Sequence, residues 1–404
     1  MHLQPRTATN APETYTAFRT TRATLARALT TVGVALARKP VVPSLGGVLL
    51  NGQNGRLTVS TADLDTVATA RVPDSEVTPG RILIDHAETT KLPDALVKGR
   101  RKRDADGEPV MLRTVDDGTA LIELGGYTVP VTTYPTEDFP TPPDIPPTVA
   151  EVNRETLTRE AQRVLVATGT DETLPMFTAV SMQISPGTLT LAGTDRFRLA
   201  VAVLPATTPT EQRAVNFPAR VLAATLKHLT AGRVRISSDQ AGDWASLHSG
   251  DVTVMTRAIT APFPDYERLF PDVTATARAD RDTLAQATAR AAAVLDAKKR
   301  TAGNRRTMAQ VAITIDPAGT VSVAPALGEQ PDATTAPTHP AEVSGAREPM
   351  RVLFTAPYLR DALNAIDGGT LCLQLAGPTR PAMITGSHEH AYRHLLMPVR
   401  APRP

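Results

Sequence analysis

Three of the eight histidines fall close together, at His388, His390 and His394, with Glu389 between the first two. Imidazoles and a carboxylate at such spacing can ligate a divalent metal. On an extended segment, however, His388 and His390 share a face while Glu389 and Arg393 lie elsewhere. The stretch reads as a hairpin tip between PAMITG and YRHLLMPV, and no metal is expected there. A second candidate is a carboxylate pair, Asp63 and Asp195. These occupy matching places in LTVSTADLDTVATARVP (57–73) and LTLAGTDRFRLAVAVLP (189–205), two stretches 132 residues apart. A carboxylate recurring at one place in a repeat is better read as holding a turn through its own backbone. Within the second stretch, Thr194, Asp195, Arg196 and Arg198 form a charged knot inside an otherwise alternating strand pattern. The chain has no GxxxxGK[ST] loop, HExxH, CxxC or GxSxG, so nucleotide hydrolysis by a phosphate loop, zinc proteolysis and elbow-serine chemistry are not expected. The residues point to a protein without a catalytic site and without a cofactor.

Charge offers a different kind of chemistry. The net charge is only +2, but residues 19–39 carry +5, the run KGRRKR (98–103) +5, residues 153–163 +1 and residues 278–306 +5, leaving −14 for the rest. Such segregation suits one surface facing a polyanion. Aromatic residues are only 4% of the chain, which argues against base stacking as the main means of holding single strands. No long apolar run and no apolar N-terminal segment occur, and there is a single cysteine, Cys372, read as a small buried hydrophobe. These features suggest a cytoplasmic protein without membrane association.

The elements that must position these residues recur. Each of the two 17-residue stretches follows an Arg-bearing helical segment (19–38, then 153–167). Each precedes a second helix (from 85 and from 216), further strands and a Pro-rich exit, EDFPTPPDIPP or APFPDYERLFPDV. A third copy has a helix at 280–297, strands MAQVAITI and GTVSVAP, a helix at 355–366 and strands ending in HLLMPVR. The chain is therefore expected to hold three α+β domains, 1–147, 148–272 and 273–404. In the first helical segment Phe18, Leu25, Leu29, Val32 and Leu36 make an apolar stripe, with Arg27 and Arg38 pointing away from it. The N-terminal dozen residues and the segment 325–349 are rich in Pro, Ala, Thr and Glu. The second is expected to be a long surface loop.

Four motifs in matching order, RKPVVPSLGGVLL (38–50), TDRFRLAV (194–201), FPDYERLFP (263–271) and PTRPAMITG followed by HLLMPVR (378–400), resemble the bacterial DNA polymerase III beta subunit family, the DNA sliding clamps, of actinobacterial type. The likeness runs from about residue 15 to residue 400. It implies three domains of one clamp fold, each with two helices and two small antiparallel sheets. It further implies a head-to-tail homodimeric ring whose helices line a hole for double-stranded DNA. The function implied is processivity without catalysis, with the DNA polymerase III alpha subunit, the clamp loader and other proteins bearing a clamp-binding motif as partners.

Residues carried over from the resemblance fall in two groups. A partner-peptide pocket would use Leu174 and Phe177 from the strand before the turn, then Thr194, Arg196, Phe197, Arg198 and Leu199. Pro264, Arg268 and Leu269 would come from the linker and Thr355 and Tyr358 from the last helix. Ala382, Ile384, Leu395, Met397, Pro398, Val399 and Arg400 would come from the C-terminal strands. Phosphate contacts would come from Arg19, Arg22, Arg27, Lys39, Arg100, Arg101, Lys102, Arg154, Arg159, Lys298, Lys299 and Arg300; Lys39 matches a position where the family carries a DNA-contacting basic residue. An ion pair between Asp195 and Arg198 would hold the turn. Arg196 and Phe197 stand where some clamps carry a small residue and His, which suits either a replicative clamp or a second copy with an altered, inhibitor-tolerant pocket. A metal-dependent nuclease or glycosylase, and a DNA-binding module that forms no ring, are the alternatives from other classes.

Overall fold

A computed structural model describes residues 16–37, 39–115, 118–209, 212–302, 309–327, 335–387 and 391–399, without the side chains of 299–302. The N-terminal dozen residues expected to be of low complexity lie outside them. The chain forms two compact units. The first takes the chain up to Thr148 with Ala224–Asp239 and Trp244–Arg257. The second takes Val149–Ala223, Gln240–Asp243 and the chain from Ala258 onward.

Seven α-helices are present among the described residues: α1 (Arg22–Val32), α2 (His86–Leu96), α3 (Lys102–Asp106), α4 (Arg154–Leu165), α5 (Ala219–Thr225), α6 (Arg281–Ala302) and α7 (Ala356–Asn364). Helix α1 begins later than its sequence pattern suggested. Residues Ala17–Thr21 are a strand, paired antiparallel with Pro109–Thr114, and the Thr21 side chain then caps the helix by accepting from Thr24 N. Arg19 therefore sits on a strand, because backbone pairing claims the residues ahead of the cap. The apolar stripe is otherwise as expected: Phe18, Leu25, Leu29 and Val32 are buried and Arg27 is exposed. Helices α2 and α4 start on Asp85 and Asn153, whose side chains accept from Glu88 N (2.8 Å) and Thr156 N (3.0 Å). Basic run 98–103 lies in a turn leading into α3.

In the first unit, one sheet runs in the order Glu76–Val77, Ala17–Thr21, Pro109–Thr114, Ala120–Leu124, Tyr127–Val131. A larger sheet runs Thr133–Tyr134, Gly80–Asp85, Gly47–Gln53, Arg56–Ala62, Thr66–Val72, Val252–Arg257, Trp244–Ser249, Arg233–Ser238. The second unit holds a twelve-stranded antiparallel sheet. Its left half is Arg213–Pro218, Ala179–Ser185, Thr188–Thr194, Arg198–Pro205, Tyr392–Leu396 and Ala382–Gly386. It continues through Thr370–Leu375, Ala275–Asp280, Thr338–Ser344, Thr320–Pro325, Gln310–Asp316 and Met350–Thr355. Thr338–Ser344 corrects the expectation of a loop across 325–349. Its composition is too polar for a core, but it is hydrogen-bonded to Ala275–Asp280 on one side and Thr320–Pro325 on the other. Ladder bonds satisfy its backbone without demanding apolar side chains.

The sheets join the repeats at a repeated place. Strand Thr66–Val72 pairs with Val252–Arg257, and Arg198–Pro205, 132 residues after it, pairs with Tyr392–Leu396. Each join is covered by a matching cluster: Val67 lies among Leu49, Ala62, Leu83 and Phe139, and its counterpart Leu199 among Ala192, Val201, Tyr266 and Leu395. Phe139 and Tyr266 both come from the Pro-rich exits, so those segments act as apolar straps over the sheet. Cys372 is buried, and burial raises its thiol, which leaves it a packing residue.

Candidate functional site

The charged knot at 194–198 is a turn built from its own side chains. Asp195 Oδ1 accepts from Phe197 N and Arg198 N, each at 3.0 Å, while Arg198 Nε donates to Asp195 Oδ2 at 2.9 Å. The Thr194 hydroxyl donates to the Arg198 carbonyl at 2.7 Å. Asp63 holds the equivalent turn in the first unit, accepting from Asp65 N (2.9 Å) and Thr66 N (2.6 Å). The two aspartates are thus structural, as their recurrence suggested.

What differs between the turns is what surrounds them. Arg198 also reaches Asp361 Oδ2 on α7 at 2.8 Å, and its guanidinium lies 4.3 Å from the centre of the Tyr358 ring. Tyr358 stacks on Phe197 with centroids 6.5 Å apart. Burial raises the Tyr358 hydroxyl above its ordinary range, and the Asp195 charge adds to the effect. Phe197, Leu269 and Met397 are left 53%, 46% and 43% exposed. Leu199 and Leu395 are buried, with Phe263, Phe270 and Met383 packed against the same cluster. The Met397 amide donates to the Phe197 carbonyl (2.8 Å) and the Val399 amide to the Leu353 carbonyl (2.8 Å), which ties the C-terminal segment to the turn and to the strand Met350–Thr355. Aromatic residues, scarce in the chain as a whole, are gathered here.

Of the expected pocket residues, Phe177, Thr194, Arg196, Phe197, Arg198 and Tyr358 are linked by contacts, Met397 joins them through its backbone, and Leu199 and Leu395 share one cluster. Thr194 is buried; Arg196 is exposed; Pro264, Tyr358, Pro398 and Val399 are half-buried. Leu174 lies in a turn and Phe177 in a 3-10 helix, Pro175–Thr178, ahead of the strand that was expected to carry them. Proline at 175 cannot donate to a ladder, so the strand starts only at Ala179. Thr355 is the N-cap position of α7 rather than a helical residue. Arg268 is exposed and paired with Asp265 at 2.9 Å. Ala382 and Ile384 are fully enclosed, a correction to their place in the groove. In register, Met383 is the residue opposite Leu395, whereas Ile384 lies opposite His394 on the other face. Arg400 lies outside the described residues. Asp361, Tyr266, Phe270 and Met383 were missed; the i, i+3 spacing of Tyr358 and Asp361 on a helix was the available signal for the first.

On that other face, His394 is buried among cations. The Tyr392 hydroxyl donates to the Arg163 carbonyl (3.0 Å), so His394 Nδ1, 2.9 Å away, must donate to the Tyr392 oxygen, leaving Nε2 as a bare acceptor without a partner. Burial, reinforced by Arg198 and Arg163, lowers its pKa to about 3. His388, Glu389 and His390, the other members of the metal candidate, lie outside the described residues.

The basic residues divide sharply. Arg22 was expected at phosphate, but its side chain is only 11% exposed. It bonds to Asp94 (2.6 Å), to Asp106 and to the Ala105 carbonyl (3.1 Å), so the fold consumes it. Arg19 pairs with Glu76 (3.5 Å), Arg100 with Glu108 (2.7 Å), Arg154 with Glu155 (3.1 Å) and Arg159 with Glu160 (2.8 Å). Arg163, counted in the basic segment 153–163, is buried against Glu160 and over the Tyr392 ring. Arg27, Lys39, Arg101, Lys102 and Lys298 are exposed. Lys299 and Arg300 continue α6, and their side chains are not among those described. No group of three or more metal-ligating side chains occurs among the described residues, and no described helix is long and apolar enough to cross a membrane.

Comparison with known proteins agrees with this architecture. Residues 16–143 match the family model for the N-terminal domain of the DNA polymerase III beta subunit, and residues 151–265 match that for its central domain. A beta sliding clamp from Streptomyces coelicolor is 27% identical over 395 residues, spanning 95% of this chain and 98% of its own. A beta sliding clamp homolog, GriR, from Streptomyces muensis is 26% identical over 400 residues, spanning 95% and 99%. The crystal structure of the sliding clamp from Bacillus subtilis superposes with a TM-score of 0.84 at 18% identity, covering 96% of this chain and all of that one. Matched by these two models over more than half its length, and carrying their α+β clamp fold, the chain belongs to the DNA polymerase III beta subunit family.

Proposed function

We propose that this chain is a DNA sliding clamp: two copies close head to tail as a ring round duplex DNA, each of the three sequence blocks supplying one clamp domain. The ring tethers the replicative polymerase and other partners through short peptides laid in the groove beside Phe197 and Met397. The observation that supports this function is that Phe197, Leu269 and Met397 stay exposed while Leu199 and Leu395 close to them in sequence are buried. Two anchors buried there at roughly 1.5–3 kcal/mol each, less the cost of ordering the peptide, suit affinity near micromolar and rapid exchange of partners.

Retention on DNA then needs no chemistry. Arg27, Lys39, Arg101, Lys102 and Lys298 offer exposed cations to phosphates, an attraction that carries no base information and that salt weakens, so the ring slides. Loading onto nicked circular DNA followed by linearisation is the test. The ring should stay on the circle at moderate salt and leave through free ends, and equal retention on both would refute the topological mechanism. In solution the particle should scatter at twice 42.9 kDa. Truncation after Leu396 should abolish binding of polymerase-derived peptides while leaving the dimer intact.

A further inference from the structure

We infer that Arg196 is a specificity-determining residue of the groove, placed to take a carboxylate that neighbours an apolar anchor in the partner peptide; this rests on the groove being a peptide site. Arg196 has φ of +80°, a left-handed conformation that a side chain adopts only at a cost and that glycine would accept freely. Strain of this kind persists where the surroundings fix it. Here the guanidinium lies 5.6 Å from the Phe177 ring centre and 5.8 Å from that of Phe197, so two rings flank the cation. Attraction to a ring face engages none of the guanidinium N–H donors in hydrogen bonds, so they stay available to a carboxylate.

The neighbouring guanidiniums are already neutralised. Arg198 is bound by Asp195 and Asp361, Arg268 by Asp265 and Arg393 by Glu267. Arg196, by contrast, has no carboxylate within 4 Å among the described residues, and it is exposed. The carboxylate whose field it enters, Asp171, is held by the Thr173 hydroxyl (2.6 Å) and amide (3.0 Å). An apolar surface edged by a guanidinium with no described carboxylate within 4 Å is complementary to a peptide that carries Asp or Glu within a residue or two of its aliphatic or aromatic anchor. The anchor would pack on Phe197, Met397 and Leu269, and the acid would close on Arg196 from the solvent side.

The test measures binding of fluorescent ten-residue peptides to the full chain. One contains Leu-Asp-Phe in a Ser/Gly background, a second Leu-Asn-Phe, and a third Ala-Asp-Ala. The wild type should favour the Asp peptide over the Asn peptide about three- to fivefold at 50 mM salt, the upper range open to an exposed ion pair, and less at 300 mM. Arg196→Gln should bind both with the affinity that wild type shows for the Asn peptide, which also reports that its groove is intact, and Arg196→Lys should keep part of the preference. Equal binding of both peptides by wild type, or an undiminished preference in Arg196→Gln, overturns the role of Arg196 while leaving the groove standing. If Ala-Asp-Ala binds as well as Leu-Asp-Phe, or if no peptide binds, the groove itself is refuted and the role of Arg196 with it.

Discussion

Lowering the pH from 7.5 to 5.0 should destabilise this protein, most of all through the fully buried imidazole of His394, whose pKa is lowered furthest. Its side chain is fully enclosed, its Nε2 has no partner and two arginines stand nearby. A proton added at Nε2 would create a charge with no acceptor beside existing cations, so the folded protein refuses it down to a pKa of about 3. The unfolded chain takes that proton near the ordinary value of 6.5. Because the unfolded state binds more protons throughout this window, stability is complete above pH 6.5 and falls as pH drops from there toward 3. The slope is about 1.4 kcal/mol per pH unit, so roughly 2 kcal/mol is lost by pH 5.0. Urea unfolding of wild type and of His394→Phe, which keeps a ring but cannot ionise, isolates this group because the other titrations cancel between the two proteins. The stability difference between them should move by about 2 kcal/mol in favour of the variant between pH 7.5 and 5.0. A difference that stays constant with pH would show that the folded protein accommodates the imidazolium, and the assignment of Nε2 as an unpartnered acceptor would be wrong.

Other outcomes follow from the packing. Arg22→Met should lower stability by roughly 2 kcal/mol in thermal unfolding, since it leaves Asp94, Asp106 and the Ala105 carbonyl without their donor, yet it should leave the salt dependence of DNA binding unchanged. Lys298→Ala should do the reverse, with stability unaltered and the slope of log affinity against log salt shallower by about one. Gly193→Ala should cost about 1–3 kcal/mol. Its new methyl would meet Thr168 Cγ2 at 2.9 Å and Val164 Cγ1 and its carbonyl oxygen at 3.0 Å, where α4 packs on the sheet.

Much of the molecule could be read from local pattern. The turn-holding roles of Asp63 and Asp195 and the Asp195–Arg198 pair depend on residues a few positions apart, and the 132-residue repeat shows by direct comparison of the two stretches. The groove was legible as a set of motifs, but the sides of the strand Ala382–Gly386 were not, because register against Tyr392–Leu396 decides which of Met383 and Ile384 faces outward. A polar segment such as Thr338–Ser344 becomes a strand only when two distant ladders are there to receive it.

Charge marks the boundary most clearly. Composition and spacing by themselves determined that the chain is an α+β repeat protein with cations concentrated in a few segments and no recognisable catalytic motif. Only the tertiary structure decided which cations remain available. Arg22 finds Asp94 and Asp106 at separations of 72 and 84 residues, and Arg163 finds the Ala365 carbonyl 202 residues away, while Lys298 stays exposed. A side chain's charge is a local property, whereas its neutralisation depends on what folding carries to within a few ångströms of it, where Coulomb attraction and desolvation act.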